Sequence, residues 1–247
     1  MPLRFYHFPA SICSQKVSLV IAEKQLSPDM QLVDLAQLDQ LSEEYLNINP
    51  NGVVPTLEHD GHIIRDSSVI CEYLDEVFPE DTFSPIEPFR RAEMRTWLRF
   101  FEEVTTPAVR WPSIQNIFFP LLMQGGGRNL IDDMVRREPH HSHLYRKLGP
   151  DGFSEEVLAE AMDQLERTIS RVDQALSDGR DYIVGRTATL ADIVLLPLVV
   201  RMEDIRLSSL WRSRPHFRRW YGRMQERPSF DAVFSPGGVR VGALMAA

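Results

Sequence analysis

A small α/β domain followed by a larger all-helical one is the architecture that this 247-residue sequence predicts. Three observations carry it. Up to Val77, short apolar strands alternate with amphipathic helices. Phe78 to Pro88 then holds Pro79, Pro85 and Pro88 among acids and serines, the composition of a connection. From Phe89 onward apolar residues recur at helical spacing, with no convincing strand. The expected division is residues 1–78 for the first domain, 79–88 for the linker and 89–247 for the helical domain.

Leu3 to Phe8 is a short apolar strand, and Ser14 to Lys24 carries Val17, Val20 and Ile21 at helical spacing. Gln31 to Leu35 reads as a weaker strand. Val54 to His59 and His62 to Asp66 flank Asp60-Gly61 as a hairpin, and Ser67 to Val77 is a helix. The order β-α-β-(loop and short helix)-β-β-α is thioredoxin-like, with the last two strands antiparallel. Helices follow at Phe89 to Val104, Glu155 to Leu176, Leu190 to Ile205 and Pro215 to Arg227. Thr189-Leu190-Ala191-Asp192 places an acid three residues after an N-cap, close to a capping box, and the apolar run after it predicts a buried central helix. Pro107 to Gly152 is broken by Pro112, Pro120, Gly125-Gly126-Gly127, Pro139 and Gly149-Pro150. It predicts an irregular excursion, at about 107–152, carrying one or two short helices.

Composition excludes several functions. Hydrophobic content of 43% and charge of 25% are those of an ordinary soluble protein. No apolar run reaches the ~18 residues of a membrane span. Met1-Pro2-Leu3-Arg4 enters a strand without a signal-like segment. Cys13 and Cys71, the only two cysteines, give no disulfide framework and suit a reducing cytoplasm. A formal charge of -8 argues against nucleic acid. An anionic ligand must therefore be held by local features rather than by the global field.

Such features stand in two places. Asn49-Pro50-Asn51-Gly52-Val53-Val54-Pro55-Thr56-Leu57 ends in an apolar run preceded by a proline, which cannot donate to a sheet. A cis Val54-Pro55 bond there would turn the Val54 N–H and C=O outward. Asp66 and Ser67 stand where a strand gives way to a helix whose free N–H groups attract an anion. A small acidic peptide fits both halves.

Taken with Ser11-Ile12-Cys13-Ser14-Gln15-Lys16-Val17, Ile70-Cys71-Glu72-Tyr73-Leu74, Thr189 to Asp192, Trp220 and Arg227-Pro228, these stretches resemble the glutathione transferase superfamily over nearly the whole chain. The Ser-x-Cys-Ser start is similar to the zeta class and to bacterial tetrachlorohydroquinone reductive dehalogenases. Asp66 to Arg95 with the long insertion resembles bacterial β-etherases, and Gln15 to Lys24 resembles the ganglioside-induced differentiation-associated branch.

The resemblance implies glutathione as co-substrate, a small hydrophobic, aryl-type electrophile as second substrate, and a homodimer. Val54 and Pro55 would meet the peptide backbone, while Asp66 and Ser67 would hold its γ-glutamyl end. A glutathione thiol with a pKa near ~8.5 is only a few per cent thiolate at neutral pH. Lowering that value by about 2 units takes ~2.7 kcal/mol. A hydroxyl bond to charged sulfur supplies ~1.5–3 kcal/mol and a helix N-terminus roughly 0.3–1 more. Ser11 matches the catalytic serine of zeta and theta relatives, and is otherwise an ordinary N-cap. Ser14 matches the serine of the etherase pattern. Cys13 has two readings, a thiol that attacks or resolves a glutathione conjugate and a small residue packed under the helix. Cys71 reads as core.

Aligned on Phe8-Pro9, the strand tyrosine of other transferases falls on His7, which leaves Tyr6 structural and lets His7 and Phe8 touch substrate. Val53 replaces the usual glutamine before Val-Pro, so Gln40 and Lys16 are the candidates for the glycyl carboxylate. Arg110 and Trp111, and less so Phe118 and Phe119, are candidate walls of the electrophile pocket. His140-His141-x-His143 reads as a solvated loop rather than a metal site. Gly125 to Gly127 lacks the strand and Gly-Lys-Ser/Thr ending of a phosphate loop and reads as slack in a lid. A non-catalytic glutathione-fold module is the reading from another class. The membrane-anchored relatives that favour it have an apolar tail, and Val239 to Ala247 is too short to span a bilayer.

Overall fold

The computed structural model describes residues 2–235; the C-terminal tail lies outside them. Four strands, β1 (Leu3–His7), β2 (Asp29–Leu32), β3 (Thr56–His59) and β4 (His62–Arg65), form one sheet in the order β2-β1-β3-β4. β1 runs parallel to β2 and antiparallel to β3, and β3 and β4 form the expected hairpin. Asp60 and Gly61, with φ of 50° and 78°, supply the two left-handed residues that its two-residue turn requires. β1 stops at His7 because the next amide, of Phe8, donates to Ser14 Oγ at 3.2 Å instead of to the ladder.

Side chains alternate across β1. Phe5, with Leu57 of β3, joins the core formed by α1 (Ile12–Glu23) and α3 (Ser67–Val77), where Val17, Leu19, Val20, Ile70, Cys71 and Leu74 are buried. Tyr6 and Phe8 face the other way and pack with Val33, Leu35, Tyr45 and Val54, next to α2 (Glu43–Ile48). The proline-rich connection is tied down. Asp75 accepts the Phe83 and Ser84 amides at 2.8 and 2.7 Å, and Lys24 Nζ lies 2.9 Å from the same carboxylate.

The helical domain holds α4 (Pro88–Phe100), α5 (Thr106–Ser113), α6 (Phe119–Gly125), α7 (Gly127–Arg137), α8 (Ser142–Tyr145), α9 (Glu155–Ala175), α10 (Leu190–Asp204), α11 (Pro215–Gln225) and α12 (Pro228–Phe234). α10 is the buried central helix, packed against α1, α3, α4, α5 and α11. Its start is fixed by Asp192, which is fully buried and accepts from the Thr189 N–H and Oγ1, the Ile183 N–H and Trp220 Nε1, all at 2.8–2.9 Å.

The 107–152 excursion is not irregular. From α4 to Gly125 the chain is helical throughout, with wide five-residue turns at Phe101–Thr105 and Ile114–Phe118. Pro107 and Pro120 sit in the first turn of the α-helix that resumes after each, where a missing N–H costs little. These prolines divide a long helix rather than end it. Gly126 and Gly127 then make the corner into α7; a Cβ on Gly126 would stand 2.8 Å from Leu130 Cβ. The excursion has its own small core of Ile114, Phe119, Ile131, Leu144, Leu148 and Phe153.

Asp192→Ala would leave four buried donors without a partner. Urea unfolding is expected to show a loss of at least ~3 kcal/mol, with Thr189→Ala costing only about 1 kcal/mol; equal losses would mean that the cap alone holds the helix.

Candidate active site

The candidate peptide edge at Val54 is built on a polar buttress. The Val54-Pro55 bond is cis, and Val54 precedes the first paired residue of β3, Thr56. Behind it, Tyr45 Oη bonds to the Val53 carbonyl at 2.8 Å and Thr56 Oγ1 at 3.0 Å, and Asn49 Nδ2 reaches the same two atoms at 2.9 Å each. Burial raises the Tyr45 phenol pKa, so it stays a neutral donor. The sequence Asn49-Pro50-Asn51-Gly52 thus returns α2's end onto the edge, and Gly52, at φ of 62°, turns the corner.

At the start of α1, Ser11 is the N-cap: its Oγ accepts the Ser14 amide at 3.3 Å, and the residue is half-buried. Ser14 is fully buried, with its hydroxyl on the Phe8 amide. Cys13 is a half-buried free thiol, whereas Cys71 is buried, and burial raises its thiol pKa beyond the range in which it ionises.

Across the edge, Asp66 caps α3. Its Oδ1 alone accepts the Ser68 amide at 2.9 Å, the Ser68 hydroxyl at 2.7 Å and the Val69 amide at 3.2 Å, so Oδ2 on this exposed residue makes none of those bonds. Ser67, the first helical residue, is buried beside it.

Lys16 is not placed to hold a carboxylate of the peptide. It is fully buried, 2.6 Å from Glu102 and 3.1 Å from Thr106 Oγ1, because position 16 lies on the inner face of α1. Gln40 is 6% exposed and its Oε1 is buried with no hydrogen-bond partner. His7 stacks on Phe5 at 5.1 Å, and burial lowers its pKa and keeps it neutral. Tyr6 is occupied by Glu58 at 3.2 Å and by the Tyr45 ring. Trp111 packs edge-on against Phe153 at 4.9 Å inside the excursion's core. The aromatic that reaches the Ser11 loop is Phe118, which with Ile117 packs against Phe8 and Ala10.

The segment from Arg137 to His143 is exposed at Arg137, Pro139, His140 and His143, but it is also a strap pinned at Glu138 and His141. Arg137 Nη2 donates to the Leu41 carbonyl at 3.3 Å, and Pro139 Cδ lies 3.0 Å from where a Cβ on Gly52 would stand. Glu138 is 5% exposed and accepts the His141 amide; Arg110 Nη1 lies 3.5 Å from His141 Nδ1. Since arginine only donates, Nδ1 is the acceptor and the His141 proton sits on Nε2. Burial, reinforced by Arg110, holds His141 at about 2, and burial pushes Glu138 up to about 7. The rings of His140 and His141 lie 4.5 Å apart, and among the described residues no group of three His, Cys, Asp or Glu could hold a metal. Sequence reasoning misses the Glu138–Arg110–His141 cluster because Arg110 stands 28 and 31 residues before the other two. The one local signal is Glu138 standing between Arg137 and a proline.

A family model described as the N-terminal domain of glutathione S-transferase matches residues 5–82, and one described as its C-terminal domain matches residues 138–228. The chain is 28% identical to protein LigF of Sphingobium sp. (strain NBRC 103272 / SYK-6), across 95% of this chain and 93% of that one. It is 22% identical to the tetrachloro-p-hydroquinone reductive dehalogenase of Sphingobium chlorophenolicum, across 92% and 94%. Among solved structures it resembles the beta-etherase LigF from Sphingobium sp. strain SYK-6 with a TM-score of 0.85, 28% identity and coverage of 95% and 99%. Glutathione transferase F7 of Populus trichocarpa shares the fold, with a TM-score of 0.75, 23% identity and coverage of 94% and 97%.

Glu138 and His141 make opposite contributions to stability. A carboxyl raised on folding from 4.5 to about 7 contributes stability that is complete below 4.5 and lost as pH rises through about 7. A histidine lowered from 6.5 to about 2 contributes stability that is present above 6.5 and lost as pH falls. Glu138→Gln mimics the protonated acid. It should raise stability by about 1–3 kcal/mol at pH 8 and by almost nothing near pH 4.5. Thermal unfolding across that range measures the gap, and a gap that widens on acidification would reverse the assignment.

Proposed function

Because the chain belongs to the glutathione S-transferase family, with glutathione as co-substrate, we propose that it is a serine-type transferase. In this reading the glutathione thiolate displaces an aryl-oxygen leaving group from an electrophilic carbon. The observation that carries the reading is the contrast between two serines: Ser11 offers a half-buried hydroxyl at the helix start, whereas the Ser14 hydroxyl is buried on the Phe8 amide.

Glutathione lies along the Val54 edge as an added extended segment, with Pro55 behind it. The free Oδ2 of Asp66 takes the γ-glutamyl ammonium, and the amide end of α3 at Ser67 takes the neighbouring carboxylate. Gln40 offers its amide to the glycyl end. The glutathione thiol gives its proton to water, and the Ser11 hydroxyl donates a hydrogen bond to the resulting sulfur anion, a charge-assisted bond that favours the thiolate over the thiol. The thiolate electron pair forms a C–S bond as the C–O bond breaks, and the aryl oxide leaves with the C–O bonding pair and takes a proton from water. Phe8, Arg110 and Phe118 face the apolar electrophile, while Ile117 and Trp111 support them from the packed side and His7, stacked on Phe5, lies on the opposite face of β1.

The name of the LigF structure, a beta-etherase, supports an ether as the first substrate class to try. Displacement of halide is the second reading, favoured by the half-buried Cys13 thiol two residues from Ser11. The enzyme acts as a homodimer in a reducing cytoplasm.

Purified protein should be assayed with glutathione and either a β-aryl ether or a chlorohydroquinone. Ser11→Ala is expected to lower kcat/KM roughly 10- to 100-fold, the worth of a hydroxyl bond to charged sulfur. Ser14→Ala should leave kcat/KM within about 3-fold and cost about 1 kcal/mol of stability. The opposite ranking would move the catalytic hydroxyl to Ser14. Cys13→Ser should be neutral toward the ether, and loss of turnover on the chlorohydroquinone alone would assign the thiol to dehalogenation.

A further inference from the structure

Arg201 is a buried cation in an otherwise apolar stretch of α10, from Ile193 to Met202, and no step above uses it. It is 3% exposed, and burial lowers its pKa only to about 10, so the guanidinium stays charged. Its Nη2 donates to the carbonyl of Ala10 at 2.5 Å, and the guanidinium carbon lies 5.8 Å from the centre of the Phe118 ring.

The carbonyls of the loop that carries Ser11 are otherwise bonded within the N-terminal domain. Phe8 O accepts the Ser11 amide at 2.9 Å, Pro9 O accepts Gln15 Nε2 at 2.9 Å, and Ser11 O accepts the Gln15 amide at 2.9 Å. Among the bonds described for this loop, only that of Ala10 comes from the helical domain. Ala10, Ile117 and Ile205 close an apolar cluster with Phe8 and Phe118 at its edge, so an Ala10 carbonyl deprived of its donor would have no water to replace it.

We propose that Arg201 is a positioning residue: through Ala10 it sets Ser11 against the glutathione sulfur and ties that loop to Phe118, the wall of the electrophile site. The inference rests on the serine reading above. Catalytic geometry is intolerant of displacement, a shift of about 1 Å costing on the order of 100-fold. The charged and titratable groups facing this corner are Asp204 on the same helix, Cys13 and Lys16 on α1, and Glu102 paired with Lys16.

The test is a double-mutant cycle between Arg201→Met and Ser11→Ala, with Arg201→Lys as the conservative variant. The readout is the thiolate absorbance of glutathione bound to full-length protein as pH is varied, corrected for the glutathione-free protein. Each single variant should leave about tenfold less thiolate at neutral pH with glutathione affinity within twofold. The double variant should be no worse than Ser11→Ala, because a residue acting through Ser11 has nothing left to act on. Arg201→Lys should recover most of the thiolate.

Additive losses, or affinity that falls in step with the thiolate, would overturn the positioning role. If Arg201→Met does not fold, Arg201→Gln takes its place in the cycle, and additive losses there overturn the role in the same way. Loss in Ser11→Ala but none in either Arg201 variant sinks this inference alone, whereas a silent Ser11→Ala sinks the serine reading together with it.

Discussion

A single buried carboxylate organises the molecule. Asp192 has no solvent, yet it collects four donors from three separate segments, the turn at Ile183, the cap at Thr189 and the indole of Trp220. An ionised group in such a place is tolerable only when its lone pairs are filled, and each filled pair fixes the direction of the segment that supplies it. The result is a central helix with a set start, against which α1 and α3 of the other domain pack. Everything at the cleft inherits that placement, because α1 carries Ser11 and Cys13, α3 carries Asp66 and Ser67, and α10 itself reaches the Ser11 loop through Arg201.

The same logic of filled valences recurs at the peptide edge. Tyr45 and Asn49 both donate to the Val53 carbonyl, and Thr56 Oγ1 accepts from Asn49 while donating to Tyr45, so the corner before Val54 is held from behind by bonds among buried groups. A protein with a net charge of -8 binds an acidic peptide by such local means. In the proposed binding mode, helix starts and the Asp66 Oδ2 act over a few ångströms, where the overall negative field has little say.

The parts of this fold that are legible in the sequence are those governed by neighbours in the chain. The strand alternation of Leu3 to His7, the Asp60-Gly61 turn, the helix starting at Ser67 and the Thr189–Asp192 box all follow from local periodicity or capping. The 107–152 segment misleads because proline has two meanings: it can end a helix, but in the first turn of a resumed one it fits, as Pro107 and Pro120 do, and only the three-dimensional path tells them apart. The caps at Ser11 and Asp66 and the cis Val54-Pro55 bond are likewise local features that the chain shows on its face. Lys16 misleads because its position in the chain says nothing of its inward helical face, and Arg201 escapes a search for motifs although a lone arginine in an apolar run demands a buried partner. The Glu138 cluster depends on contacts between residues 28 to 31 apart, measured from Arg110 to Glu138 and His141, which no window of sequence exposes.

Gly52 has a wider meaning than its turn. Pro139 of the helical half rests where a side chain at that position would be, and Leu41 crowds it from the other side. The two halves are therefore not interchangeable parts. A hybrid that joined this N-terminal half to a helical half from another enzyme would bring a stranger against a notch shaped for one ring, two residues from the cis Val54-Pro55 bond. Divergence in this protein is constrained to move both sides of that notch together, so a change in the helical strap at Pro139 must be matched in the corner that leads to Val54.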